Sequence, residues 1–306
     1  MIHYNHCPIC GAPSIHPVLE VKDNTVSGKT FAVWHCDSCT GRFTQDIPGK
    51  EEIGAYYQSS DYISHSDTRE GLVNRLYHQV RAITLNTKRR MVQAATRRST
   101  GTLLDLGCGT GAFLHVMEKA GWHVTGLEPD PGAREKAASL YGLRIQPIEA
   151  LAHLEPASFN AITLWHVLEH VHDLGEYIEQ CKRLLVPGGA ILIAVPNYLS
   201  LDAQHYGSSW AAYDVPRHLY HFSPRSMERL LDKHHLESVS KLQMWFDSFY
   251  VSMLSERYAT GHNRTAAAVW TGLRSNLRAI RNAENCSSVI YVARATARRV
   301  PLGQAT

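Results

Sequence analysis

Leu103-Leu104-Asp105-Leu106-Gly107-Cys108-Gly109-Thr110-Gly111-Ala112-Phe113-Leu114 is an apolar run carrying one acid, then three glycines at alternate positions, then apolar residues at helical spacing. It reads as a buried parallel strand, a tight turn without side chains, and the N-terminus of a helix. Glycine there lets the backbone take positive φ and approach a ligand closely, and the first helical turn offers unpaired N–H groups. A dinucleotide fingerprint spaces its glycines G-x-G-x-x-G. Gly107, Gly109 and Gly111 give G-x-G-x-G, with Asp105 two residues ahead. That spacing disfavours a nicotinamide dehydrogenase and leaves a ligand loop of another kind, or a plain glycine turn.

Strand and helix alternate downstream of the loop. After a helix over 112–120, Val124–Leu127 reads as a second strand ending at Glu128-Pro129-Asp130. Leu143-Arg144-Ile145 reads as a third strand, Ala161–Leu164 as a fourth, and Ala190–Val195 as a fifth after the turn Pro187-Gly188-Gly189. Alternation of this kind implies an α/β fold with right-handed crossovers, a doubly wound, mostly parallel sheet, and a ligand at its carboxyl edge. An acid ending the second strand, here Glu128, is where nucleotide ribose hydroxyls would be held.

DLGCGTGAFL, GLEPD, SFNAITLWHVLEHVHD and LLVPGGAILIAVPN, in that order over about residues 100–200, resemble the motifs of class I S-adenosylmethionine-dependent methyltransferases. The resemblance implies a Rossmann-like, seven-stranded sheet. It also implies that Asp105, Gly107, Gly109 and Gly111 form the loop facing the methionine moiety. Glu128 would take the ribose hydroxyls, Glu149 and Ala150 would border the adenine, and Trp165 would complete the S-adenosyl-L-methionine site. Asn160 stands where the family more often has Asp, at a position of structural weight.

Two C-x-x-C pairs, Cys7/Cys10 and Cys36/Cys39, each put two thiolates on one tight turn. Together they make a closed tetrahedral site, so the expected ion is a structural Zn2+ in an N-terminal zinc ribbon over residues 1–48. A segment this small draws most of its folding energy from the metal. Residues 49–98 read as a linker and lid helix, with Leu72, Leu76, Val80, Ile83 and Leu85 as an apolar stripe and Lys88-Arg89-Arg90 on a solvated face. Residues 99–296 form the expected methyltransferase domain, with insertions at 197–222 and 246–285. The ribbon, the linker from Tyr56-Tyr57 to His65 and the loop from Asp214 to Ser223 are loosely similar to sugar C-methyltransferases, without their Tyr-His-Glu-His pattern or additional C-terminal domain.

A histidine-rich rim follows the fourth strand. His166, Glu169 and His170 share one face of a helical turn. H-x-x-E-H is also a metallopeptidase signature, but it sits here directly after a sheet strand. A similar turn in quinone-biosynthesis O-methyltransferases has been linked to a divalent cation; bracing of the loop by hydrogen bonds is the simpler reading. Methyl transfer needs in-line geometry and a base for the acceptor proton, and histidine titrates near neutrality. His218 is the first catalytic candidate, then His221 and His166. Asp247, Tyr250 and Ser255 either cap the acceptor pocket or pack.

Composition bounds the remainder. Hydrophobic residues make up 44% and charged residues 19%, as in ordinary globular proteins, and a net charge of +3 is too small to argue for nucleic acid. No stretch has the length of a membrane span or the form of a signal peptide, so a cytoplasmic setting is expected, with Cys108, Cys181 and Cys286 as buried free thiols. The acceptor is read as a small molecule, a sugar, lipid or quinone-like compound methylated on oxygen or carbon. RNA base methylation and a non-catalytic zinc-ribbon binding protein are the alternatives.

Overall fold

A computed structural model describes residues 1–57 and 72–296, with the backbone alone over 72–78. Near the N-terminus, β1 (Ile15–Lys22), β2 (Thr30–Cys36) and β3 (Arg42–Thr44) form an antiparallel meander. α1 (Leu72–Thr96) leads into β4 (Thr102–Leu106), α2 (Ala112–Lys119), β5 (His123–Leu127) and α3 (Pro131–Tyr141). β6 (Phe159–Trp165), α4 (Leu174–Leu184) and β7 (Leu185–Pro196) continue the alternation. Next come α5 (Leu201–Tyr206), the two-residue β8 (Tyr220–His221) and α6 (Pro224–Lys233). β9 (Leu236–Gln243), α7 (Asp247–Thr260), α8 (Thr265–Ala279) and β10 (Ser288–Ala295) complete the chain.

The central sheet runs β5-β4-β6-β7-β10-β9. β5, β4, β6 and β7 are parallel, while β10 lies antiparallel between β7 and β9. Leu103, Leu104, Ile162, Leu164, Ile191 and Ile193 are fully buried, as expected of strands covered on both faces. Asn160 does structural work: its side-chain oxygen accepts from the Thr102 N–H (3.0 Å) and hydroxyl (3.1 Å), tying β6 to β4.

The expected count of seven strands is corrected to six. Leu143-Arg144-Ile145 lies beside β5 without forming a ladder, and Gln146 alone bridges Leu127. The Gln146 N–H donates to the Gly126 carbonyl and its carbonyl accepts from the Glu128 N–H.

The expected stripe on α1 is also revised. Ile83 is exposed, Leu85 packs toward the core, and Val92 is the fully buried residue, because the later part of the helix is what meets the sheet. The side chains of Leu72 and Leu76, and the linker through His65, lie outside the described residues.

The four-stranded sheet of the cysteine-rich segment is completed from far along the chain. β3 pairs with β8, Arg42 opposite His221 and Phe43 opposite Tyr220. Cys7, Ile9 and Phe43 therefore share one core with Tyr220, Phe222, Met227 and Leu230. Among the described residues no helix is long and apolar enough to cross a membrane.

Candidate functional site

The glycine loop sits at the carboxyl end of β4. Gly107, Gly109 and Gly111 all have positive φ, the last as the N-cap of α2. Their surroundings differ. A Cβ on Gly107 would lie 2.5 Å from Val167 Cγ2 and one on Gly111 2.9 Å from Leu143 Cδ1, whereas one on Gly109 would meet nothing within 4 Å among the described residues. Gly107 and Gly111 thus permit close packing, and Gly109 lines open space that a ligand could occupy. Glu128, at the end of β5, is buried; one carboxylate oxygen accepts from the Gly109 N–H (2.8 Å) and the other from the Asp130 N–H (3.0 Å). It ties the loop to β5 while keeping lone pairs for further donors. Glu149 and Ala150 fall on a short turn over Ile148–His153 just past the Gln146 bridge, Glu149 exposed and Ala150 half-buried.

Beneath the loop, buried Asp105 accepts from the Thr163 hydroxyl at 2.6 Å. Burial raises its carboxyl to about 7, against the Thr163 hydrogen bond and the nearby Lys88 charge. Lys88 corrects the expectation of a wholly solvated basic face on α1. Its ammonium lies 4.4 Å from the centre of the Trp165 ring, and burial lowers its pKa although Asp247 and Asp105 favour the charge. Trp165 ends β6 with its ring edge-on to Phe113 and its Nε1–H buried without a partner. One turn of apparently solvated basic residues gives no sequence signal that its first member reaches the sheet edge.

The rim begins with His166, held at φ 57°. Its ring nitrogens lie 2.8 Å from Asp247 and 3.2 Å from buried Glu169. Burial disfavours its charge, but Asp247 and then Glu169 outweigh this and raise His166 to about 10, a standing imidazolium. Glu169 and Asp247 answer in kind: burial would raise each, and His166 holds each below the carboxylate range.

His170 and His218 are arranged differently. Their rings meet edge to face, 4.6 Å between centres. His170 Nδ1 is 3.1 Å from the Arg217 carbonyl and 3.1 Å from the Tyr57 hydroxyl, and His218 Nδ1 is 2.8 Å from the Ala212 carbonyl. Carbonyls only accept, so both rings carry hydrogen on Nδ1, and in a neutral ring so held Nε2 is the nitrogen with the lone pair. Burial and then the neighbouring His218 push His170 down to about 4. Glu169, His170 and His218 each bring one ligand-type atom to within 4.8 Å of the others, and the second Glu169 oxygen is buried and without a partner among the described residues. His166 lies outside that trio. His221 stands apart in β8, its Nε2 3.1 Å from the Thr44 hydroxyl, and burial pushes its pKa well below the ordinary value. Of the other rim residues, Ser255 is buried and accepts from the Ala211 N–H at 2.8 Å, while Tyr250 is exposed.

Cys7, Cys10, Cys36 and Cys39 converge without forming disulfides. The Cys7–Cys39 and Cys10–Cys36 sulfurs are 3.7 and 3.6 Å apart. A zinc tetrahedron with bonds of about 2.3 Å has edges of about 3.8 Å, so the four sulfurs fit a closed zinc site.

Residues 77–241, more than half of the chain, match the family model described as a methyltransferase domain. The chain is similar to the ubiquinone biosynthesis O-methyltransferase of Xanthomonas oryzae pv. oryzae (strain PXO99A), 34% identical over 130 residues, 39% of this chain and 54% of that protein. It is similar to the enzyme of the same name from Idiomarina loihiensis, 29% identical over 169 residues, 51% of this chain and 69% of that one. The chain thus spans about half the length of the first of these curated relatives. Among solved structures it is similar to the Burkholderia thailandensis 1,6-didemethyltoxoflavin-N1-methyltransferase, with 17% identity, a TM-score of 0.49, and coverage of 90% of this chain and 100% of that one.

Proposed function

The chain belongs to the methyltransferase-domain family, and we propose that it is an S-adenosylmethionine-dependent methyltransferase acting on oxygen or carbon of a small sugar, lipid or quinone-like acceptor. The observation that carries the cofactor half is the open space at Gly109, whose N–H is bonded to the Glu128 carboxylate. Bound there, the cofactor supplies an electrophilic methyl on sulfonium. The chain's own residues do the rest. Asp105, Glu128 and the three glycines shape the loop, Trp165 and Lys88 wall its acceptor side, and Glu149 and Ala150 border the adenine end.

On the acceptor side, His218 is the general base in this reading. Its Nδ1–H is anchored on the Ala212 carbonyl, and Nε2, 3.9 Å from an Asp214 carboxylate oxygen, is the nitrogen left to take the acceptor proton. His170 beside it has the same tautomer. His166, standing as an imidazolium between Asp247 and Glu169, orients the rim electrostatically, and His221 serves the β3–β8 junction.

Cys7, Cys10, Cys36 and Cys39 hold a structural zinc, with residues 1–48 as ribbon, 49–98 as linker and lid helix and 99–296 as methyltransferase domain. A reducing, cytoplasmic setting belongs to this reading, since none of the seven cysteines is in a disulfide. Labelled S-adenosylmethionine incubated with the protein and fractionated small molecules should yield a labelled product identifiable by mass. Absence of cofactor binding in calorimetry would remove the proposal.

A further inference from the structure

α7 and α8 pack together with an inverted polarity. The inward face of α8 is small and polar: Thr271, Gly272, Ser275 and Asn276 are buried. Ser275 donates to Asp202 at 2.6 Å, and Asn276 donates to the Trp245 carbonyl at 2.8 Å and accepts from Ser248 at 3.0 Å. A Cβ on Gly272 would lie 2.8 Å from Phe249 and 3.1 Å from the Ser248 carbonyl oxygen, so glycine lets the helices approach. These contacts fix the rotation of α8 and turn its apolar residues outward. Trp270, Leu273, Leu277 and Ile280 are 61%, 39%, 55% and 62% exposed. A helix packed for its own stability would do the reverse.

Charge says what covers the stripe. Arg274, Arg278 and Arg281 each directly follow a member of it, a step of about 100° that lays them along one edge. All three are exposed, and α8 contains no Asp or Glu. The two carboxylates of α7 turn away, Asp247 to His166 and Glu256 to the Tyr206 hydroxyl at 3.3 Å. A second copy of the chain meeting this face would set the arginine row against its own image with no acid on α8 to neutralise it. Headgroup phosphates neutralise it directly, and an exposed tryptophan suits the bilayer interface.

We propose that the outer face of α7–α8 docks on an anionic lipid surface, lying along it rather than crossing it. Asp247, the first residue of α7, bonds the rim histidine, so docking brings the mouth of the site to the bilayer. That an amphiphilic acceptor then enters from the lipid rests on the methyltransferase reading; the docking does not.

Flotation of the full chain with equimolar phosphatidylcholine–phosphatidylglycerol vesicles tests it. The chain should float with these vesicles, not with phosphatidylcholine alone, and less at raised salt. Trp270→Gln with Leu277→Gln, or Arg274→Glu with Arg278→Glu, should each lower partitioning at least about tenfold while circular dichroism and S-adenosylmethionine affinity stay unchanged. No flotation on anionic vesicles overturns the docking, as does equal flotation of both variants. Sedimentation showing a dimer that Leu277→Gln dissolves also overturns it, in favour of a contact between copies. If S-adenosylmethionine does not bind yet flotation behaves as expected, the methyltransferase reading fails and the docking stands.

Discussion

The Arg217 guanidinium lies 3.2 Å from a carboxylate oxygen of Asp23, both side chains buried, although they are separated by 194 positions in the sequence. The same guanidinium bonds Asp214 and the Tyr56 carbonyl, and the Arg217 carbonyl takes the His170 Nδ1–H. One residue thus joins the β1–β2 turn, the linker and the histidine rim. Burial would raise Asp23, but bonds from Ser27 and Thr25 and the Arg217 charge hold its carboxyl at about 2. Removing one partner of a buried ion pair strands the other, at a cost of about 3–5 kcal/mol. Arg217→Met should therefore lower the thermal midpoint sharply, and Asp23→Asn with Arg217→Met should cost less than the two single changes summed. Additive single effects in denaturant melts would refute the coupling.

Zinc removal should reach the rim. β3 carries Phe43 and Arg42 opposite Tyr220 and His221, two and three residues past His218. A chelator, or Cys39→Ser, should release the N-terminal sheet, since such segments fold with their metal. Methyl transfer should fall with it, and activity should return on zinc addition to the wild type. Full activity in a demonstrably metal-free sample would separate the two parts.

Glu128→Ala removes the acceptor of the Gly109 and Asp130 N–H groups. Hydrogen bonds to a charged group contribute about 1.5–3 kcal/mol, so S-adenosylmethionine affinity should drop about 10–100-fold. Calorimetry on this variant gives the number directly.

His218→Gln keeps a side chain of similar reach and removes the basic nitrogen. If Nε2 takes the acceptor proton, kcat should fall by about 10²–10⁴ with cofactor affinity preserved. A kcat that stays at the wild-type level assigns the base elsewhere, with His170 next.

The His166–Asp247 contact predicts an alkaline limit. His166 is raised to about 10 in the folded chain, against about 6.5 unfolded. A raised basic group contributes stability that is complete below its unfolded pKa and is lost as pH climbs through its folded one. Thermal midpoints of the wild type should therefore decline as pH rises through about 10, and Asp247→Asn should flatten that decline.

Local patterns made much of the central domain legible. Glycines at alternate positions after an apolar run mark a strand end, Pro131 after Asp130 starts a helix, and Ser223-Pro224 starts another, here with a capping box. Each is a statement about neighbours in the chain, as is the pairing of thiols within each C-x-x-C. Leu143-Arg144-Ile145 satisfies a strand pattern by alternation alone, which does not say whether it pairs with a neighbour. Lys88 is hidden for a related reason: periodicity assigns a residue to a helix face without saying what that face meets.

The sequence by itself determined the order of strands and helices, the glycine loop with its partner acid, and the four thiols, because backbone conformation and spacing are local quantities. Tertiary structure alone decided that Arg217 reaches Asp23, that His218 lies on His170 while His221 is drawn into the N-terminal sheet, and that α8 turns its apolar side outward. Those outcomes depend on desolvation and on partners tens or hundreds of residues away, and no pattern along the chain encodes them.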